Sequence, residues 1–169
     1  MSDFSLSRLI RGSSFFNVLN MTTVEIFFQK SPDNPDGDTR GIESLAYEVY
    51  WGATRVEQGT TGSDGQIIVP VFAGRANIRL VHTGGFVEYE LTVSSDALDA
   101  ANTRTGRKQR LRLLGYQLGH AGPDGDGVDG NDNFEFERSV LDFQVESGSR
   151  PDANIDAAVQ NQLTTHAGG

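Results

Sequence analysis

The sequence predicts an α+β protein of two small domains, an antiparallel β-sandwich followed by three short helices. Three observations predict it. Between Thr22 and Val93 apolar residues recur at every second position and are interrupted by glycine-rich turns, the signature of short half-buried strands. Beyond Arg107 the apolar spacing changes to i, i+4 and i+7, the period of helices with one buried face. Between them lies SSDALDAANTRTG, small and polar, as domain boundaries are. The resulting division is an N-terminal arm at 1–20, a β-sandwich at 21–94, a linker at 95–106 and a three-helix domain at 107–169. A chain of 169 residues is long enough for one domain or two small ones.

The elements follow in order. In the arm, Leu6, Leu9 and Ile10 could line a short helical face ending at Gly12, and Phe15 and Phe16 make the arm rich in aromatics for a free tail. Val24, Ile26 and Phe28 alternate as a first strand, and SPDNPDGDTRG reads as a loop. Leu45, Tyr47 and Val49 alternate again, Gly52 turns the chain, and Thr54 to Gln58 runs back. Thr61 to Gly65 is a tight turn before three further strands at 66–72, 75–82 and 86–93. Their inward side chains are expected to be Ile78 and Leu80, with either Phe86 or the set Tyr89, Leu91 and Val93.

In the helical part, Leu111 and Leu114 sit one turn apart with basic residues on the other side, and Gly115 supplies a left-handed cap. Asn133 can cap a second helix whose Phe136, Val140 and Phe143 share a face and which Gly148 stops. Ile155, Val159 and Leu163 recur every four residues in a third, capped by Asn154 or Asp152. Helices this short are unstable alone, so their apolar faces must be buried together.

Composition excludes several functions. A formal charge of -9 is the wrong sign for nucleic acid, whose phosphates need a Lys/Arg surface. The absence of cysteine removes disulfides and thiolate zinc sites. No apolar run approaches the ~20 residues of a membrane helix, so membrane insertion is not expected. The first residues do not form a secretory signal, because Asp3 precedes any basic residue and Arg8, Arg11 and Gly12 interrupt the apolar stretch. Synthesis in the cytoplasm is therefore expected. For catalysis, the three histidines are scattered, with His82 closing a strand and His166 in the expected tail, and neither a nucleophile elbow nor an H-E-x-x-H zinc pattern occurs. A non-enzymatic role is expected, with paired carboxylates for glycan cleavage the alternative that an acidic chain leaves open.

The ordered pattern Leu114-Gly115-Tyr116, then Asp126-Gly127 with Gly130, then Phe143-Gln144, then Leu163 resembles the three-helix peptidoglycan-binding domain family found beside cell-wall hydrolases. The loop here is longer by residues 120–125, and Phe134 stands where that family often has threonine. Upstream, Gly59-Thr60-Thr61, Asp64-Gly65 and an alternating strand reaching Pro70 are similar to prealbumin-like or carboxypeptidase-regulatory-like sandwiches. The pairing of the two resembles components of contractile injection systems and phage-like tails. That resemblance implies peptidoglycan as ligand, tail, spike or baseplate proteins as partners, and a place on a released or membrane-docked particle. The ligand-binding residues it singles out are Tyr116, Asp126, Asp129 and Gln144: an aromatic edge can stack on a sugar, and a glutamine can both donate to and accept from a peptide stem.

The acidic loop raises a separate expectation. Asp124, Asp126, Asp129 and Asp132 are clustered carboxylates of the kind calcium takes, although Val128 stands where an EF-hand loop would place a third side-chain ligand. No other cofactor is expected.

Overall fold

The computed structural model describes residues 21–32, 41–93 and 97–167. The expected N-terminal arm lies outside the described residues, as does most of the loop after the first strand. The described chain forms one six-stranded antiparallel sheet and three helices, in two compact units.

The sheet unit contains β1 (Met21–Phe27), β2 (Ala46–Trp51), β3 (Thr54–Thr60), β4 (Gln66–Phe72), β5 (Arg75–His82) and β6 (Gly85–Thr92). β6, β5, β2 and β3 pair in that order along most of their lengths. β1 pairs with β4 from Met21↔Phe72 to Phe27↔Gln66. These two groups of strands meet through a single residue pair, Phe72↔Arg75, at the β4–β5 turn. That geometry explains Pro70, which sits mid-strand without a backbone N–H. β4 is paired on one side only there, so no second ladder loses a donor. The Pro70 carbonyl instead accepts a hydrogen bond from Trp51 Nε1 at 3.0 Å.

Side chains alternate as the pleat requires. On β4, Ile67, Val69 and Val71 are buried while Ile68 is exposed. Val24 and Ile26 of β1, Tyr47 and Val49 of β2, Ala76 and Ile78 of β5 and Leu91 of β6 complete the apolar interior. Of the two alternatives for β6, the set containing Leu91 faces inward; Phe86 is exposed on the opposite face. That opposite face carries a polar ladder across four strands. Arg55 and Tyr50 both bond Glu48, Arg79 lies between the rings of Tyr50 and Phe86 at 4.1 and 4.5 Å, and Glu88 accepts from Arg79 and Asn77. Only glycine fits at Gly65, with φ of 72°, because a Cβ there would lie 2.1 Å from the Phe28 carbonyl oxygen.

The helical unit contains α1 (Arg104–Leu113), α2 (Phe134–Glu146) and α3 (Ala157–His166). α1 starts three residues before Arg107 because Thr103 caps it, its Oγ1 accepting from Gly106 N at 3.0 Å. Residues 97–106, expected as linker, thus fold with the helices. Asn133 caps α2 as its spacing implied, accepting from Phe136 N at 2.8 Å. α3 is capped by Asp156, which accepts from Val159 N at 2.9 Å, rather than by Asn154 or Asp152. The two expected stops, Gly115 and Gly148, have φ of 94° and 71°. Each is followed by a residue whose N–H reaches back a full turn, Tyr116 to the Leu111 carbonyl and Ser149 to that of Gln144, which closes the exposed helix ends.

Leu111, Leu114, Tyr116, Leu118, Phe136, Val140, Phe143, Val159 and Leu163 form the core of this unit. Phe143 is its centre, meeting Tyr116 and His166 edge-on at ring distances of 6.0 and 5.6 Å. His166 therefore belongs to the last turn of α3 and not to a tail. Ile155 lies before α3 and is only half-buried. Replacing Phe143 with alanine should cost about 3–5 kcal/mol, seen as loss of helical circular dichroism at lower denaturant. Because the single tryptophan, Trp51, is in the sheet unit, its fluorescence should report a separate transition if the two units unfold independently.

Candidate functional site

The acidic loop and α1 are built for each other. Arg104, Lys108 and Arg112 recur every four residues, which aligns them on one helix face about 6 Å apart. Asp132, Asp129 and Asp126 recur every three residues along a loop running the opposite way. Each cation meets one carboxylate: Arg104 Nε lies 2.6 Å from Asp132 Oδ1, Lys108 Nζ donates to Asp129 Oδ1, and Arg112 Nε lies 3.5 Å from Asp126 Oδ2. Arg112 also donates to the Asp126 carbonyl at 2.8 Å.

The three pairs are unequal. The outer two are solvent-exposed and each worth little, as surface ion pairs are. Lys108 is completely buried, with its ammonium 5.4 Å from the centre of the Phe136 ring. A buried charge must keep its counter-ion, so Asp129 is the essential member. The Lys108 ammonium, and after it the Asn131 side-chain amide, hold the Asp129 carboxyl below the usual carboxylate range. One more bond and one close approach shape the loop: Asp126 Oδ1 accepts from Val128 N at 2.9 Å, and Gly127, with φ of 80°, passes so close to Leu118 that no side chain fits.

This arrangement bears directly on calcium. Asp126, Asp129 and Asp132 point to three different cations along α1, and Asp124 is exposed before them. Among the described residues no group of three or more carboxylate or histidine side chains converges on one point. An ion would have to displace the existing partners.

The other two expected ligand residues are internal. Tyr116 is 4% exposed, its ring packed edge-on against Phe143. Gln144 is fully buried, and its amide is saturated. Oε1 accepts from the backbone N–H of Asp152 and Ala153 at 3.1 and 3.0 Å, while Nε2 donates to the Asn154 carbonyl at 2.9 Å and to Asp152 Oδ1 at 3.2 Å. Gln144 is thus a clamp on residues 152–154, and holds Ala153 at a φ of 61° that a non-glycine residue seldom adopts. The Asn154 N–H, and next Gln144, keep the Asp152 carboxyl low.

That clamped segment forms one wall of a groove of about 860 Å³. Arg104 and Arg107 of α1, Phe136 and Val140 of α2 and Ile155 also line it. Arg107 donates through Nη2 to Gln160 at 2.9 Å, while its Nε is buried without a hydrogen-bond partner. Glu137, Asp152 and Asp156 bring carboxylates to the same space. Sequence reasoning did not find this groove, because its residues come from three separate segments with no shared spacing.

The chain matches no family model, no curated protein and no solved structure. Among the described residues no helix is long and apolar enough to cross a membrane.

Two measurements check the clamp and the buried pair. Gln144→Leu should lower the stability of the helical unit by roughly 1–3 kcal/mol or more, because the N–H groups of Asp152 and Ala153 lose their acceptor. For the pair, a carboxyl held low in the folded state adds stability that is present above its unfolded value near ~3.9 and is lost as pH falls through the lower folded value. Melting temperature should therefore fall less steeply with acid for Asp129→Asn than for the wild type below about pH 4, while the variant melts lower at pH 7 because Lys108 is stranded. Millimolar calcium should leave the melting temperature unchanged if the cations of α1 retain the carboxylates, since an ion bound only by the folded chain must raise it.

Proposed function

We propose that this chain is a non-catalytic peptidoglycan-binding component of a contractile injection system or phage-tail-like particle, with the groove beside α1 as its ligand site. The order of Leu-Gly-Tyr, Asp-Gly-x-x-Gly, Phe-Gln and closing Leu supports the reading, as does the sandwich-like sheet unit that precedes it. The observation that carries it is the groove's mixture of groups. Peptide stems of the cell wall present carboxylates, amines and small apolar side chains together. Arg107, with an unpartnered buried Nε, suits a carboxylate; Glu137 and Asp152 suit an amine; Phe136, Val140 and Ile155 suit methyl groups. Tyr116 and Gln144 support the site from behind: one packs the core, and the other sets the clamped wall.

The test is co-sedimentation of the full chain with washed sacculi at moderate salt. Wild-type protein should sediment, and Arg107→Glu, with unchanged helical circular dichroism, should bind roughly tenfold more weakly, the loss of one charged hydrogen-bonded contact. Absence of wild-type sedimentation overturns the reading. A structural adaptor role is the second reading, favoured by exposed apolar side chains on the sheet unit such as Ile68 and Phe72, at 51% and 45%. Co-assembly with tail or baseplate proteins without sacculus binding would select it.

A further inference from the structure

Strand β6 has an outer edge that no described strand pairs with. Among the described residues it pairs only with β5, in an unbroken register from Arg75↔Thr92 to His82↔Gly85. Edge strands ordinarily avoid pairing with other chains by being short, bulged or guarded by proline or an exposed lysine. β6, GFVEYELT, is eight residues long without proline, lysine or bulge, and the charges that guard it are the carboxylates of Glu88 and Glu90. It also exposes apolar surface: Phe86 is 53% and Val87 48% exposed, and Val81, opposite Phe86 on β5, is 42% exposed.

The side chains of β6 specify what kind of strand would fit beside it. One face presents Val87, Tyr89 and Leu91, with Leu91 in the core. The other presents Phe86, Glu88 and Glu90, and Arg79 bonds Glu88 while lying over Phe86. Glu90 has no ion-pair partner among the described residues, and the only charges β6 itself carries, Glu88 and Glu90, are both negative.

A second copy of the chain fits poorly. Two antiparallel β6 strands that keep their apolar faces together overlap most fully in registers centred on Glu88 or on Tyr89. The first sets Glu88 opposite Glu88, and the second sets Glu88 opposite Glu90 twice; like charges directly opposite destabilise a pair. Complementary charge is needed instead. We infer that the free edge of β6 accepts, by strand addition, an extended segment of a different protein in which apolar residues alternate with lysine or arginine. Main-chain hydrogen bonds supply the pairing, basic side chains lie opposite Glu88 and Glu90, and apolar ones extend the face of Val87 and Tyr89. This interface is independent of any ligand of the helical unit.

The test uses isotope-labelled full-length chain and three synthetic peptides of about eight residues, the length of β6. One alternates valine or threonine with lysine, the second alternates them with glutamate, and the third scrambles the lysine peptide so that the alternation is lost. The expected result is saturable amide shifts confined to β6 and the adjoining part of β5 with the alternating basic peptide alone. Glu90→Lys, at an exposed position, should weaken that binding by roughly tenfold and shift preference to the acidic peptide. Equal response to the scrambled peptide, shifts elsewhere, no saturation, or a wild-type dimer broken by Glu90→Lys would each overturn the inference.

Discussion

One fully buried ammonium group constrains the helical unit more than any other feature. Lys108 is fully buried on the face of α1 that the acidic loop runs along, and its charge is tolerable only because Asp129 is delivered to it. Delivery requires the loop between α1 and α2 to run back along the helix. Gly127 permits the close approach to Leu118, and the outer pairs of Arg112 with Asp126 and Arg104 with Asp132 keep the loop in register. The loop ends at Asn133, which caps α2 and so aims Phe136 beneath the ammonium and Phe143 into the core. The acidic, glycine-rich stretch thus straps the loop along α1.

The same economy appears at the other end of α2. Gln144 behaves as a piece of backbone, saturating its amide with the chain at 152–154, where a helix has stopped and the next has not begun. This leaves the carbonyl and carboxylate groups around Ile155 at the rim of the groove in a defined arrangement.

The sheet unit follows a different logic. Its interior is a plain apolar alternation, and its specificity lies on the outer face, where arginines are held between carboxylates and aromatic rings across four strands. That ladder ends at β6, where Glu90 makes no ion pair among the described residues.

The strands, the Asn133 cap and the stops at Gly115 and Gly148 were legible in the sequence, because each depends on neighbours within a few residues: alternation, a side chain reaching three positions ahead, a glycine able to take positive φ. The α+β class followed from the change of period near Arg107. What tertiary structure decided was everything that joins distant segments. The spacing of Arg104, Lys108 and Arg112 and that of the three aspartates were both visible, but nothing local states that one set faces the other. Likewise a Phe-Gln pair reads equally as core or as ligand contact until residues 152–154 are placed against it. Which strands pair, and that β6 is left at an edge, also depend on folding the chain, since strand order is a property of long-range contacts and not of periodicity.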